Sequence, residues 1–321
     1  MISSKQVLYI IGVGRSGTSM LMTLLNGHSQ IAFTPETHFL RFYFGTAHIQ
    51  QQYEAQGPRA FQQTLEKDVY FKRLKLSAAQ LLEPYLNEER PFDLSNFYLH
   101  LLGQYLQRKG KTFIGDKDPR YIDYLPIVKQ VCPQAKIIHI YRDPRDIMLS
   151  KMKADWAAHR PYWLNAMISQ IQMKNGRKAA QELFGDQYYE LAYETLLSNP
   201  EASLSRLLNF LGLSFEPAML DLTQSAKELV DESELQWKDN TFKPLMNTNS
   251  QKWLTKLSPK QIRCIEIICK EWFEKLAYTP APIQIGSFNE NLFKTLFSFE
   301  GLQELLYKRQ LKIHMNKGAK R

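Results

Sequence analysis

Short apolar runs, each followed by turn residues and then by apolar positions three and four apart, recur along the chain. The runs at 7–11 and 136–141 are almost continuously apolar, which is typical of strands buried on both faces of a parallel sheet. The other predicted strands are 31–33, 112–115 and 188–192, and the main predicted helices are 20–25, 121–131, 147–151, 160–184, 200–211 and 258–275. This alternation predicts an α/β fold in three layers, a central and mainly parallel sheet flanked by helices.

Residues 39–110 interrupt the alternation, because they show no strand pattern and are rich in aromatic residues. These are Phe39, Phe42, Tyr43, Phe44, Tyr53, Phe61, Tyr70, Phe71, Tyr85, Phe92, Phe97, Tyr98 and Tyr105. We interpret the stretch as a helical insertion or lid that shapes an apolar pocket. The alternative is that the rings pack in the core, and their spacing does not separate the two. We expect one domain over residues 1–280, followed by a tail at 281–321.

The first strand runs into a glycine-rich turn over residues 12–19 and then into a helix. Glycine permits positive φ and close approach of a ligand, and the free N–H groups of such a turn point at one place together with the helix dipole. We therefore expect a phosphate-like anion there, in a P-loop-like fold. The spacing of Gly12 and Gly17 matches the start of a Walker A loop, but Thr18 stands in place of the lysine and Arg15 is the nearby cation. The alternative is a turn whose glycines serve packing only.

Further polar residues follow other predicted strands, at the edge where open α/β sheets bind ligands. Glu36 follows the second strand, and a carboxylate beside an anion site indicates a general base; the alternative is a helix cap. Lys117 follows the third strand. Arg142 ends the fourth, and Ser150 comes two helical turns later, so the pair is placed to hold a second phosphate. We interpret His139, inside that strand, as a core residue.

The charge of the 321-residue chain is strongly positive. It has 41 Lys and Arg against 32 Asp and Glu, a net charge of +9, which favours anionic ligands. Residues 307–321 contain six basic residues and no acid, and apolar residues at roughly helical spacing precede them at 292–306. This amphipathic basic tail is either a solvated end or a contact with a membrane surface. We find no nucleic-acid-binding signature and expect no nucleic-acid partner.

The cysteines and the apolar runs bear on where the protein works. Cys132, Cys264 and Cys269 form neither a disulfide framework nor a zinc spacing, and predict buried thiols in a reducing compartment. No apolar run is long enough to span a membrane, and the first strand leaves no room for a signal peptide. We expect a cytoplasmic protein with no metal site, since no paired carboxylates or histidine clusters are placed to hold one.

Two phosphate-type sites at one sheet edge, with a nearby carboxylate and no Walker lysine, resemble the sulfotransferases that use 3′-phosphoadenosine-5′-phosphosulfate (PAPS). Residues 14–19 resemble their 5′-phosphosulfate loop, and residues 141–146 with Ser150 resemble their 3′-phosphate motif. Residues 193–197 resemble a further segment, and residues 242–244 with 250–253 resemble a late cofactor-binding loop. The donor-binding residues that the resemblance implies are Gly14, Arg15, Ser16, Gly17, Thr18, Ser19, Arg142, Ser150, Tyr193 and Lys252.

Within this superfamily the motifs are most similar to the tyrosylprotein and related bacterial branch. There a Glu about twenty residues after an Arg-Ser-Gly-Thr loop acts as the base, which implies that role for Glu36. The resemblance also implies that Arg15 and Lys117 stabilise the charge that develops as adenosine 3′,5′-bisphosphate (PAP) departs. Two positions depart from related enzymes: Arg15 replaces the loop lysine of the cytosolic branch, and His38 stands where a peptide-sulfating enzyme usually carries Arg.

The expected activity is transfer of a sulfuryl group from PAPS to an acceptor hydroxyl. The aromatic insertion and the basic tail favour a sterol, lipid or phenol as acceptor, and saccharide and peptide tyrosine are alternatives. Two rival functions are an ATP-dependent kinase with a degenerate loop and a nucleotide-fold module that binds its ligand without turnover. Magnesium dependence and ATP turnover separate the first rival from a sulfotransferase, and an assay for transfer separates the second.

Overall fold

Five parallel strands form the centre of the computed structural model, which describes residues 2–222, 229, 250–276, 278–297 and 299–318. They are β1 (Val7–Ile11), β2 (Ile31–Phe33), β3 (Phe113–Lys117), β4 (Lys136–Tyr141) and β5 (Tyr188–Ala192). Their order is β2-β3-β1-β4-β5, and each neighbouring pair runs parallel. All five residues of the central β1 are fully buried, as expected for a strand covered on both faces.

Helices cover both faces of this sheet. They are α1 (Thr18–Asn26), α2 (Phe39–Tyr43), α3 (Ala47–Lys67), α4 (Val69–Lys72), α5 (Ala78–Leu86), α6 (Leu94–Lys109), α7 (Leu125–Val131), α8 (Pro144–Lys151), α9 (Asp155–Ala158), α10 (Tyr162–Phe184), α11 (Tyr193–Ser198), α12 (Pro200–Leu211), α13 (Trp253–Lys256), α14 (Pro259–Ile268), α15 (Lys270–Lys275), α16 (Ser287–Phe297) and α17 (Glu300–Gly318). Leu8 and Ile10 of β1 face a core shared with α1, α11 and α12. Val7, Tyr9 and Ile11 face the opposite core, shared with α2–α7 and the end of α10. The three-layer α/β fold is thereby confirmed.

The insertion at 39–110 is helical, and most of its aromatic rings lie in the core. Phe39 stacks on Tyr98 at 5.0 Å between ring centroids, and Phe61 meets Phe97 edge-on at 5.3 Å. Within α3, Gly57 leaves the helical conformation with φ 74°, so the helix is broken in its middle. The core interpretation therefore holds for most of these rings, while Phe42 and Tyr70 stay partly exposed.

Three of the elements that differ from their predicted bounds have a clear physical reason. β3 continues past residue 115, because Asp116 and Lys117 pair with Tyr9 and Ile10 of β1. The helix predicted over 121–131 is a short 3₁₀ turn at Pro119–Asp123 followed by α7, whose first turn contains a proline that favours a new helix start. The helix predicted over 258–275 is divided at Cys269 into α14 and α15.

The helices α16 and α17 pack onto the domain. Phe293, Phe297 and Leu306 contact the core beside α10 and α14, and the buried Tyr307 donates its hydroxyl to Asp123 at 2.8 Å. Residues 319–321, at the end of the predicted tail, lie outside the described residues. No helix in the part of the chain that the structure describes is long and apolar enough to cross a membrane.

Candidate functional site

The glycine-rich turn between β1 and α1 is shaped for an anion. A Cβ on Gly12 would lie 2.4 Å from the carbonyl oxygen of Ile140, so only glycine lets the turn lie this close to β4. Gly17, with φ 94°, precedes α1, whose first-turn N–H groups have no intrahelical acceptor. The Ser16 side chain is fully buried, and its Oγ has no hydrogen-bond partner among the described residues. Orphaned hydroxyl and amide donors in one turn are what a phosphate- or sulfate-bearing ligand satisfies.

Lys117 joins this turn to the candidate base. The register of β3 on β1 places Lys117 beside Ile10, just before the turn, and its side chain is fully buried. Its Nζ donates to Ser19 Oγ at 3.0 Å and to the carboxylate of Glu36, which follows β2. The structure therefore brings together Glu36, Lys117 and Ser19, three residues far apart in sequence. A carboxylate and an ammonium in contact beside an anion site have the chemistry of a proton acceptor and a charge stabiliser.

Arg15 and Arg142 connect the two predicted phosphate sites. Arg15 Nε donates to Ser150 Oγ at 2.9 Å, and Arg142 Nη1 donates to the carbonyl oxygen of Arg15 at 3.3 Å. The Arg142 guanidinium lies 4.4 Å from the ring centroid of Tyr193, and that ring packs against Gly17. Burial lowers the pKa of Arg15, and the positive charge of Arg142 lowers it further. Two guanidinium groups held this close are stabilised by an anion between or beside them.

The segment that carries Lys252 lies beside the start of α8. Asp146 accepts hydrogen bonds from the backbone N–H groups of Gln251 at 2.7 Å and Trp253 at 3.1 Å. The same carboxylate lies 3.8 Å from Arg142 Nη2, so Lys252 is close in space to the predicted 3′-phosphate motif. The other half of the predicted late loop, residues 242–244, lies outside the described residues.

Two acids on either side of Lys117 are site residues that our sequence reasoning did not single out. Asp118 pairs with His38 Nδ1 at 2.7 Å and with Arg41 Nε at 3.1 Å. Burial alone would raise the pKa of Asp118, but Arg41 and His38 together hold it well below its usual value. The signal in the sequence was an Asp-Lys-Asp triplet at the end of an apolar strand, where each charge needs a partner.

Asp116 is fully buried and has hydroxyl partners instead of cations. Its Oδ2 accepts from the Tyr98 and Tyr121 hydroxyls at 2.8 and 2.9 Å. Burial raises the pKa of this carboxyl, although both tyrosine hydrogen bonds act in the opposite direction. The two aspartates are therefore opposites: one is a charged partner of cations, and the other favours its neutral form more than a free aspartate does.

His38 borders the site beside the insertion, and Trp156 of α9 borders it beside the glycine-rich turn. The His38 ring meets the Tyr70 ring edge-on at 4.6 Å and the Phe42 ring at 5.5 Å. The half-exposed Trp156 covers Gly14, since a Cβ there would lie 3.4 Å from the indole. Aromatic side chains thus flank the Glu36–Lys117 pair and the glycine-rich turn.

Comparison with known proteins decides the family. The model of the sulfotransferase family matches residues 8–217, which contain the glycine-rich turn, Glu36, Lys117 and the Arg142–Ser150 motif. The chain belongs to the sulfotransferase family. The resemblance to the sulfotransferases that was identified from the motifs is thereby confirmed.

Two solved sulfotransferase domains share the fold. The domain of the olefin synthase of Synechococcus PCC 7002 has a TM-score of 0.54 and 20% identity, over 91% of this chain and 94% of that domain. The domain from the curacin biosynthetic pathway has a TM-score of 0.57 and 17% identity, over 91% of this chain and 97% of that one.

Curated relatives match in sequence. An uncharacterised protein of Aquifex aeolicus is 25% identical over 285 residues, 85% of this chain and 33% of that protein. Omega-hydroxy-beta-dihydromenaquinone-9 sulfotransferase Stf3 of Mycobacterium bovis is 32% identical over 117 residues, 33% of this chain and 30% of that enzyme. The chain thus spans about a third of the length of these relatives. The roles of the individual site residues stay predictions.

Proposed function

We propose that this sulfotransferase moves a sulfuryl group from PAPS to the hydroxyl group of an apolar acceptor. The observation that carries the proposal is the contact of Lys117 with both Glu36 and Ser19 at the sheet edge beside the glycine-rich turn. A kinase loop would place its lysine within the turn. Here the ammonium group is that of Lys117 at the end of β3, and it is paired with the carboxylate of Glu36.

The residues present fit the two ends of a PAPS molecule. The turn at Gly14–Ser19 offers amide and hydroxyl donors, including the orphaned Ser16 Oγ, to the phosphosulfate end. Arg142 and Ser150 both contact Arg15, Lys252 lies near Arg142 through the shared neighbour Asp146, and the three suit the ribose phosphate. When bound, the donor supplies an activated sulfuryl group.

Three residues of the chain have separate proposed roles in the transfer. Glu36 takes the proton of the acceptor hydroxyl, whose oxygen forms the new bond to sulfur as the bond to the phosphate oxygen breaks. Lys117 and Arg15 stabilise the negative charge that develops on the phosphate oxygen of the donor as this bond breaks. Such a step depends mainly on positioning and on preorganised electrostatics, as phosphoryl transfer does.

The surroundings of Glu36 favour an apolar acceptor, with a sterol, lipid or phenol ahead of a saccharide or peptide tyrosine. His38, Phe42 and Tyr70 present aromatic surface beside the base. The partial relative that sulfates a modified menaquinone acts on a lipid alcohol, which supports the same class.

We also place the protein in the cytoplasm, without a nucleic-acid partner and without a metal requirement. The three cysteines are free and buried thiols, which is typical of proteins kept in a reducing compartment. In the described ranges, no group of three or more His, Cys, Asp or Glu side chains is arranged to hold a metal ion.

Calorimetry and a transfer assay test the proposal together. We expect PAP to bind at least tenfold more tightly than AMP, because only PAP carries the 3′-phosphate, and we expect binding to survive a chelator. PAPS labelled in its sulfate should then transfer the label to an acceptor in one of five pools, which contain sterols, lipid alcohols, phenols, saccharides or tyrosine peptides. Equal affinity for PAP and AMP, or magnesium-dependent ATP turnover, overturns the proposal. Tight PAP binding without transfer to any class indicates the binding module instead.

A further inference from the structure

The two C-terminal helices leave a row of large apolar side chains in solvent. We call it the C-terminal apolar face; its residues are Leu292, Leu296, Phe299, Leu302 and Leu305, each between 37 and 68% exposed. The opposite side of the same helices is packed, with Gln303 and Tyr307 buried. The helices are therefore fixed to the domain, and the apolar face points away from it. Several large apolar side chains left exposed on helices that are otherwise packed indicate an interaction site.

Basic residues follow this face along the chain. Lys308, Arg309 and Lys312 continue along α17, and residues 307–321 carry six basic residues and no acid. The acids nearby are already paired: Glu300 with Lys174, and Glu304 with Lys308 at 3.5 Å. In contact with a lipid leaflet, the apolar side chains would enter the boundary between headgroups and acyl chains, and the Lys and Arg side chains would contact the anionic headgroups.

We propose that the C-terminal apolar face docks the protein on the surface of an anionic lipid bilayer. The contact is interfacial, since neither α16 nor α17 meets the length and hydropathy that a membrane span needs. A second copy of the chain fits this face less well, because a symmetric contact would bring the basic stretches of both copies together.

Docking of this kind would also orient the site, a step that rests on the proposed function. α17 is tied to the acceptor side through the hydrogen bond from Tyr307 to Asp123, and it packs against α2, the helix of Arg41. Arg41 in turn pairs with Asp118, next to Lys117. Docking would therefore place α17, whose buried side contacts this part of the domain, between the bilayer surface and the acceptor side of the site.

Vesicle flotation with the full chain tests the docking. The probes are vesicles of phosphatidylcholine alone and vesicles with about a third phosphatidylglycerol, each at low and high salt. We expect binding to the anionic vesicles, at least tenfold weaker binding to the neutral ones, and a loss of binding at high salt.

Two variants and a control locate the contact. The double variant Leu302→Glu, Leu305→Glu should reduce binding to anionic vesicles at least tenfold, and Arg309→Glu with Lys312→Glu should do the same. The matched control is Val69→Glu on α4, a valine 60% exposed outside this face, which should bind as the parent protein does. Melting temperature and PAP affinity, measured without vesicles, should be unchanged in all three, because the altered side chains are on the surface.

The proposal is overturned if the parent protein does not bind anionic vesicles, or if the double leucine variant binds them as strongly as the control does. It is also overturned if the double leucine variant abolishes a dimer seen by sedimentation while no variant affects vesicles, which would assign the face to a second copy. Failure of PAP binding in the absence of vesicles would instead count against the sulfotransferase proposal, so the two failures are distinguishable.

Discussion

The donor side of the site, around Arg15 and Arg142, differs from the acceptor side, around Glu36, Lys117 and Asp118, in the partners of its charged side chains. On the donor side, Arg15 contacts a serine hydroxyl, and Arg142 contacts a backbone carbonyl and an aromatic ring and lies 3.8 Å from the carboxylate of Asp146. On the acceptor side, Lys117 contacts Glu36, and Arg41 contacts Asp118. Two arginines thus lie beside one carboxylate, that of Asp146, where the donor's anionic groups are proposed to bind, whereas Lys117 and Arg41 each pair with a carboxylate of their own where the acceptor is proposed to bind.

This difference indicates what each side requires from its ligand. Two guanidinium groups in partly desolvated positions gain free energy when phosphate groups arrive. An acceptor side that is already neutral gains nothing from an anion, and suits an uncharged hydroxyl compound whose only reactive proton goes to Glu36. Substitutions that remove one charged group at a time test this difference on each side of the site.

The largest effect should come from Glu36→Gln, which removes the proposed base and keeps its shape. We expect turnover to fall by about 10²–10⁴-fold, the usual contribution of general base catalysis. PAP affinity should change little, because Glu36 is on the acceptor side. Steady-state rates with labelled PAPS measure the first quantity and calorimetry the second, with the exposed Glu83→Gln as control. A nearly normal rate would remove Glu36 from the base role and leave His38 as the candidate.

The donor side was largely predictable from the sequence, because its residues come in two short segments. The glycine-rich turn and the Arg142–Ser150 motif each contain their own geometry: a strand end, a tight turn and a helix start. The fold followed from the same local patterns, since buried strands and amphipathic helices have periods of their own. Contacts between these segments were not predicted, such as that of Arg15 with Ser150, which joins residues 135 positions apart.

The acceptor side was less predictable, because tertiary pairing decides it. Asp116 and Asp118 have the same residue type two positions apart, yet one meets tyrosine hydroxyls and the other meets Arg41 and His38. Those partners come from α2, α6 and the 3₁₀ turn after β3, whose packing no local pattern encodes. The same holds for the insertion, where spacing alone does not distinguish core rings from rings around a pocket.

Asp118→Asn should have the second largest effect, on stability. It leaves Arg41 and His38 without their carboxylate in a buried place, which costs about 3 kcal/mol or more in the free energy of unfolding. The pKa of Asp118 is depressed in the folded protein, so its contribution is present above the unfolded-state pKa of about 4 and is lost as pH falls below it. Urea unfolding should therefore show a large loss at pH 7 that shrinks toward pH 3.

The exposed Asp186→Asn serves as the matched control for Asp118→Asn and should change unfolding little at either pH. A loss of stability for Asp118→Asn that stays the same from pH 7 to pH 3 would show that packing, and not its charge, explains the effect.

Arg142→Ala should weaken the donor side without affecting the acceptor side. Hydrogen bonds to charged groups contribute about 2 kcal/mol, so PAP affinity should fall by roughly thirtyfold. AMP affinity should fall much less, because AMP lacks the 3′-phosphate. Calorimetry with both nucleotides measures the contrast, and Arg59→Ala on the surface of α3 is the control. Equal losses for PAP and AMP would assign Arg142 to the shape of the turn instead of to the 3′-phosphate.

The smallest effect at neutral pH is expected for Asp116→Asn, and its sign opposes that of Asp118→Asn. The folded-state pKa of Asp116 is raised, because burial disfavours its charged form. A group with a raised pKa contributes stability that is present below its unfolded-state pKa and is lost as pH rises through the folded-state value. Asparagine has no such loss, and its side-chain oxygen still accepts from Tyr98 and Tyr121. The free energy of unfolding of the variant, relative to the parent, should therefore increase between pH 4 and pH 8 and stay within about 1 kcal/mol of zero at pH 7. Urea titrations across that range measure it, and a loss at pH 7 as large as that of Asp118→Asn would mean that the two aspartates are both charged partners after all.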